Sequence, residues 1–443
     1  MLRALRHPTR LLPTAFLAAL LVGTGLLMLP AARAAGEPAP PLVALFTAAS
    51  SVFITGMSTV DPATYWSPAG QGIILGLIQV GGFGIMTFAT VLGLMMSRRL
   101  ALRTRLVAQA ETRSLNLGEV RALLLRVLAM MVGFELVVAA VLTVRFRTTY
   151  DDTFGTALWH GVFHAVSAFN NAGFSLYSDS FMGFVGDPWI CGTVAVAVIL
   201  GGLGFPVMLE LYREWRKPRY WSIHTRLTVW GSAILLLIGI GGVTAFEWSN
   251  PATLGPLNWR ETLVGGMFGG VVPRTAGFNS IDYAAARPET LALTNVLMFI
   301  GGGSAGTSGG IKVTTFFLLA FVIWAEVRGQ DDVNIGHRRV PAQTVRQAVT
   351  VALLGVGTVA AGTLVLLLVT ELPFDRVLFE VTAAFSTAGL STGITGSLPA
   401  TGQLTLVALM FIGRVGTITV ASAIALRHRK LRYRLPEERP IIG

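Results

Sequence analysis

The sequence predicts an all-α polytopic membrane protein folded as four similar quarters around one pseudo-fourfold axis. Three observations predict it. Apolar segments long enough to cross a bilayer recur along the whole chain. Apolar segments of about a dozen residues, too short to cross, stand between them. A Gly-centred stretch follows each short segment, at a near-constant interval of about 110 residues.

The elements follow in order. Of the 443 residues, 53% are hydrophobic and 13% charged, and the mean hydropathy of +0.65 lies above that of a soluble domain. Spans are expected near 11–29, 70–96, 123–144, 189–211, 227–246, 289–325, 348–370 and 403–426, the sixth broken by glycines. Eight spans put both termini on one side. That side carries Arg3, Arg6 and Arg10, then Arg98, Arg99, Arg103, Arg105, Arg113 and Arg121. Arg213, Arg216, Lys217, Arg219, Arg226, Arg328, Arg338, Arg339 and Arg346 follow, with Arg427, Arg429, Lys430, Arg432, Arg434 and Arg439 in the tail. The opposite side has only Arg33, Arg145, Arg147, Arg260, Arg274, Arg287 and Arg376. The bias makes both termini cytoplasmic, and it accounts for the net charge of +11 by orientation in a membrane rather than by nucleic-acid binding. The first residues also resemble a secretory signal peptide. Their apolar core is long for one, and removal would leave an odd number of spans, so a retained first helix is expected. Cys191 stands alone, which rules out an internal disulfide or a Cys-rich metal site.

The four Gly-centred stretches are "SVFITGMS" (51–58), "AFNNAGFS" (168–175), "VPRTAGFN" (272–279) and "AFSTAGLS" (384–391). Thr55, Ala172, Ala276 and Ala388 precede the central Gly56, Gly173, Gly277 and Gly389. The segments before them, "PPLVALFTAASSV", "GTALWHGVFHAVSAF", "ETLVGGMFGGVV" and "DRVLFEVTAAFS", fit re-entrant half-helices. Each quarter then reads as outer helix, half-helix, extended Gly strand and inner helix. The quarters run 1–97, 98–217, 218–340 and 341–430, with a cytoplasmic tail at 431–443. The inner helices share "VGGFG" (80–84), "LGGLG" (200–204) and "IGRVG" (412–416), whereas the third has "IGGGSAGTSGGIK" (300–312).

Extended backbone at membrane depth is tolerated only where it is buried in protein or lines a watery cavity. Rings of backbone carbonyls can replace the hydration shell of a monovalent cation. Gly tolerates the positive φ such a turn needs, and each half-helix aims its partially negative C-terminus at the ion. The carbonyls of Gly56, Gly173, Gly277 and Gly389 are therefore the expected cation ligands. The competing reading, glycines for helix packing, places such residues inside spans rather than after half-length ones.

With these strands, the broken sixth span and an arginine in the last helix, nearly the whole chain resembles the Trk/Ktr/HKT superfamily of potassium transporters. Its length is similar to the KtrB-like membrane subunits rather than the longer TrkH-like ones. The resemblance implies K⁺ uptake through a channel-like filter at residues 55–56, 172–173, 276–277 and 388–389. It implies a homodimer with one pore per chain, and a cytosolic ring of RCK-type, KtrA/TrkA-like subunits that bind nucleotides. No organic cofactor is expected in this chain, and Na⁺ stays open as an activator. Gly at all four positions is similar to the K⁺-selective members; sodium-preferring plant relatives carry Ser where Gly56 stands.

A Gly costs about 1 kcal/mol relative to Ala in a helix, so the run Gly301, Gly302, Gly303, Ser304, Ala305, Gly306, Thr307, Ser308, Gly309 and Gly310 should break the sixth span into a loop. By the resemblance this is an intramembrane gate, with Lys312 and Arg414 beside it. "GTSGGIKVT" narrowly misses a phosphate-binding motif, because Ile311 separates Gly310 from Lys312. An Arg at a helix centre costs about 2.5–3.5 kcal/mol to insert. At about 8 Å and an effective dielectric near 20, Arg414 would repel a passing cation by roughly 2 kcal/mol. The alternative is an ion pair, with Glu210 for example. Asn170 and Asn171 brace the second strand or simply turn it. His164 and Glu380, aligned in the second and fourth half-helices, buttress them. Asp61, Asp179 and Asp282 attract cations or are merely solvated. His160 and His164 have metal-ligand spacing without a carboxylate-rich companion. A coupled secondary transporter would place acids in its spans, which are nearly free of them, and an embedded enzyme would need a cluster of acid, base or metal ligands.

Overall fold

A computed structural model describes residues 8–105 and 117–416. Arg3, Arg6, Arg113, the basic tail residues and the tail 431–443 lie outside the described residues, as do the side chains of Arg10, Arg98, Arg99, Arg103 and Arg105. The chain is mostly helical. The helices are α1 (Pro8–Leu27), α2 (Pro41–Val52), α3 (Pro62–Tyr65), α4 (Pro68–Arg105), α5 (Leu117–Thr149), α6 (Phe154–Phe169), α7 (Pro188–Leu203), α8 (Phe205–Glu214), α9 (Ile223–Glu247), α10 (Trp259–Val271), α11 (Pro288–Phe299), α12 (Val313–Val327), α13 (Ala342–Val369), α14 (Phe374–Phe385) and α15 (Ala400–Phe411). A two-stranded antiparallel hairpin of β1 (Asn334–Ile335) and β2 (Arg338–Arg339) lies between α12 and α13.

The stretches α4 to Phe88, α5 from Arg121, α9 and α13 are long and apolar enough to cross a membrane. The fourth predicted span is not one straight helix: α7 and α8 meet at Gly204 with a bend of 100°. Gly204 takes φ +89, open to glycine, and Pro206 sits at the start of α8, where its missing N–H costs nothing. The sixth predicted span is two helices, α11 and α12, joined by a non-helical segment at 300–312. Among the described residues, the first, sixth and eighth predicted spans contain the apolar stretches Pro13–Leu27, Val313–Val327 and Ala400–Gly416; residues 417–426 of the eighth lie outside the described residues.

Four short helices, α2, α6, α10 and α14, sit inside this frame. Helix α2 packs between α1 and α4, α6 between α5 and α7, α10 against α9 and α7, and α14 between α13 and α15. Helix α15 also closes back on α2. The polar starts of α6 and α10 are fixed by caps: Thr153 accepts from Thr156 N–H, and Asn258 forms a capping box with Glu261. Their far ends are buried, carrying Phe46, Phe163, Phe268 and Phe379 into one continuous core. The outward faces are apolar and open, with Leu21, Val137, Leu237 and Leu368 all more than 60% exposed. A band of that kind, on helices long enough to span, fits burial in a bilayer.

Candidate functional site

Each short helix ends in a tight turn with one repeated backbone pattern. Thr55 N–H donates to Ser50 O (2.7 Å), Ala172 N–H to Ser167 O (2.7 Å) and Ala388 N–H to Ala383 O (2.8 Å). The third turn is tighter by one residue, Ala276 N–H reaching Val272 O at 3.0 Å. Two residues before each glycine, Ile54, Asn171, Thr275 and Thr387 take positive φ, and Gly56, Gly173, Gly277 and Gly389 do so again at +71 to +89. In an ordinary strand successive carbonyls alternate sides. Reversing φ at every second residue cancels that alternation and lets neighbouring carbonyls face one way. The next residues, Met57, Phe174, Phe278 and Leu390, are buried in the core and pin each turn from behind.

The four turns meet. A Cβ built on Gly56 would lie 2.4 Å from Ala172 O, and one on Gly173 2.8 Å from Ala276 O. One on Gly277 would lie 3.2 Å from Ala388 O, and one on Gly389 2.1 Å from Thr55 O. The succession returns to its start, so the turns form a closed ring in chain order. No side chain fits inside it. Among the described residues, none of the carbonyls of Thr55, Gly56, Ala172, Gly173, Ala276, Gly277, Ala388 and Gly389 accepts a hydrogen bond. Buried carbonyls are nearly always paired. A ring of unpaired ones, with four helix C-termini behind it, is a ready site for a bare cation.

Two side chains brace the ring by the same device. His164 Nε2 accepts from Leu176 N–H at 3.2 Å and lies 3.1 Å from Ser175 Oγ. Its Nδ1 therefore carries the proton and donates to His160 O. Glu380 accepts from Thr392 N–H (3.0 Å), Ser391 Oγ and Thr395 Oγ1. The two thus hold the exits of their own strands rather than their half-helices alone. Asn170 donates to Val166 O, Gln79 Oε1 and Glu135 Oε1, and Gln79 donates to the other oxygen of Glu135. Glu135 is a buried acid inside a span, an exception among largely acid-free segments. Asp61, Asp179 and Asp282 accept from backbone N–H groups of Ala63, Gly183 and Ala284 and shape their own turns. His160 faces Asp151 and Tyr177.

The segment 300–312 has a stem and a tip. At the stem, Gly301 N–H donates to Ile311 O (2.8 Å), Ile311 N–H to Phe299 O (3.1 Å) and Val313 N–H to Gly302 O (3.0 Å). The tip, Gly303 to Ser308, lies against the second quarter. Gly303 N–H donates to Gly202 O and Thr307 N–H to Gly201 O. Thr307 Oγ1 reaches Phe169 O and Asn171 Oδ1, and Asn171 Nδ2 donates to Ser308 Oγ at 3.2 Å. Asn171 therefore both adopts the left-handed turn and holds the tip. The break after α7 accommodates this contact: a Cβ on Gly204 would lie 2.6 Å from Ser304 O. On the other side, a Cβ on Gly309 would press on Ser386 O and Thr387 Oγ1, and Gly306 and Gly310 complete the bend.

Arg414 sits in a π-helical turn, Ile412–Gly416, that continues α15. It is buried and donates to Thr387 Oγ1 at 3.3 Å, while its Nε and Nη2 have no partner among the described residues. The ion pair with Glu210 does not form; Glu210 is occupied by Ser222 and Thr225 on α9's start. Lys312 donates to Ser308 O. A second correction concerns Arg274. The charge count places it on the outer face, but it is 6% exposed and donates to Ile300 O (2.9 Å) and Gly301 O (3.0 Å). Its position three residues before Gly277, where the other strands have Phe53, Asn170 and Ser386, was the available signal.

The family described as TrkH, cation transport protein, matches residues 3–432. The Ktr system potassium uptake protein B of Bacillus subtilis is 36% identical over 96% of this chain and 95% of its own length. The protein of the same name from Vibrio alginolyticus is 35% identical over 98% and 94%. The potassium/sodium uptake protein NtpJ of Enterococcus hirae is 32% identical over 98% and 97%. The crystal structure of the potassium transporter TrkH from Vibrio parahaemolyticus superposes with a TM-score of 0.70 at 16% identity, covering 92% of this chain and 84% of that one, a likeness of fold.

Proposed function

We propose a mechanism from one premise: the chain belongs to the TrkH family of cation transport proteins. It takes up potassium across a membrane. The ring of unpaired carbonyls at Thr55–Gly56, Ala172–Gly173, Ala276–Gly277 and Ala388–Gly389 is its filter, and that orphaned ring is the observation that carries the reading. K⁺ sheds water into the ring, where carbonyl oxygens from four quarters of one chain replace its shell. The C-termini of α2, α6, α10 and α14 lower the electrostatic cost of entry. The quarters 1–97, 98–217, 218–340 and 341–430 are four repeats around this single pore.

The loop 301–312 with Lys312 is the gate beneath the filter, and Arg414 is a fixed positive barrier beside it. A cation passing Arg414 at about 8 Å meets roughly 2 kcal/mol at an effective dielectric near 20, a slowing rather than a block. Opening requires the tip to leave Gly201, Gly202 and Asn171. A cytosolic RCK-type, KtrA/TrkA-like ring on a homodimer would supply that work through nucleotide binding. The protein sits in the cell's plasma membrane with both termini cytoplasmic. Its relatives are named as uptake proteins, and we assign it no catalytic residue.

Growth of an uptake-deficient bacterium on limiting K⁺ tests this. The chain should restore growth, and Rb⁺ should compete better than Na⁺. Equal competition by Na⁺ would move the assignment to a cation pore without K⁺ preference, the breadth suggested by the name of the Enterococcus relative.

A further inference from the structure

We infer that Arg274 is the positioning residue that fixes the stem of the 300–312 loop to the third filter turn, so that the loop opens by swinging its tip about this anchor. The inference rests on the reading of the loop as the gate. Two carbonyls on adjacent residues, Ile300 and Gly301, receive Nη1 and Nη2 at 2.9 and 3.0 Å. A forked guanidinium fits that pair, whereas an ammonium would serve as a single point donor. Both carbonyls follow the last turn of α11, where a helix leaves its acceptors unsatisfied and its dipole is negative. The charge is therefore matched to a place that needs one, in a buried site where charge-assisted bonds outlast neutral ones.

The two ends of the loop differ in kind. The stem combines a cationic clamp with ladder-like bonds to Phe299, Ile311 and Val313 within its own quarter. The tip is tied to another quarter by neutral contacts alone, several at 3.1–3.3 Å, and its one cationic bond, Lys312 to Ser308 O, stays within the loop and does not hold it to that quarter. Detachment should thus begin at the tip. Arg274 also belongs to the turn that carries Ala276 and Gly277, its N–H bound to Val271 O, so a shift of the third strand carries the stem with it. A small cleft lined by Arg274, Ser308, Gly302, Ser232, Val198 and Leu236 borders the loop. Nothing else on the outer-face charge list reaches the loop.

The test uses the full chain in proteoliposomes with Arg274→Gln and Arg274→Lys. Ser304→Cys serves as a reporter in a Cys191→Ser background. In Arg274→Gln, modification of the reporter by a membrane-impermeant thiol reagent should speed up about fivefold or more, the size expected from losing one net hydrogen bond. Arg274→Lys should fall between, and it carries the test if the Gln variant does not fold. Rb⁺ flux should rise in parallel, and Arg274→Gln should add nothing when residues 302–309 are deleted. An unchanged modification rate in protein of normal gel-filtration profile overturns the anchor, as does an additive flux gain in the deletion background. Faster modification, with a deletion that leaves flux unchanged, would instead retain the anchor and refute the gate.

Discussion

The ring of Gly turns and the 300–312 loop are both irregular backbone buried in the helical frame, yet they are secured in opposite ways. The backbone of every ring turn is closed by bonds inside its own quarter, from the short helix's last carbonyls, with His164 or Glu380 behind two of the strands; in the second turn the Asn170 and Asn171 side chains also reach across, to Gln79 and to the loop tip. The loop's tip is held by another quarter, through Gly201, Gly202, Phe169 and Asn171. Local closure makes the ring a fixed template, since no quarter need move for another to keep its form. Borrowed contacts make the loop conditional on how two quarters are placed. The mechanism proposed above, a rigid selector beside a releasable gate, thus draws both from the same glycine-rich material.

The comparison can be broken most forcefully at the ring. Gly173→Ser places a Cβ about where the structure leaves 2.4 Å to Gly277 Cα, at a φ that side chains rarely adopt. It should cut K⁺ uptake at least tenfold, about 1.4 kcal/mol or more in barrier, and lower the K⁺/Na⁺ ratio. Unchanged uptake ratios in tracer assays would count against the ring as selector. Deleting residues 302–309 should act in the opposite direction, raising resting flux in vesicles with the K⁺/Na⁺ ratio preserved; a loss of selectivity would merge the two regions into one.

A smaller effect is expected at the braces. Glu380→Ala leaves Thr392 N–H, Ser391 and Thr395 without their acceptor, a loss of about 1–3 kcal/mol for an unsatisfied buried group. Thermal unfolding should come earlier, and selectivity should fall by a few fold. At the tip, Thr307→Val removes hydroxyl contacts at 3.2 and 3.3 Å, worth about 1 kcal/mol net. Resting flux should rise about fivefold without any change in selectivity, which separates the loop from the ring most finely. The least effect lies in the scaffold that serves both. Asp187 caps the start of α7. Burial alone would raise its pKa, but donation from Arg145, Tyr150 and the Ile190 and Trp189 N–H groups holds it below the ordinary 3.8. Its folded form favours the ionised state, so its contribution is complete above that value and fades as the pH falls beneath it. Asp187→Asn should lose stability at neutral pH and shed this acid-dependent part of the unfolding profile.

The four half-helices and the broken third inner helix were readable because they are local. A dozen apolar residues ending at a glycine, or a run of glycines inside an apolar span, carries its own constraint. What eluded the sequence is tertiary. Gly204 sits in a "LGGLG" copy that looks like its straight counterpart in α4, and only Pro206 and the approach of Ser304 mark the bend. Arg274 is flanked by turn residues and so counts as a surface charge until Ile300 and Gly301 are brought to it. Asn171 looked like a turn residue with an optional role; its hold on Thr307 and Ser308 links residues more than a hundred positions apart. Glu135 likewise gained its meaning from Gln79 and Asn170. Periodicity reports which face is apolar, not which polar group waits there.

The ring's four glycines occupy four separate positions of one polypeptide. A homotetramer repeats any replacement on every wall, but here a mutation alters one wall and spares three. Ion preference can accordingly be retuned in quarter increments, each small enough for selection to keep.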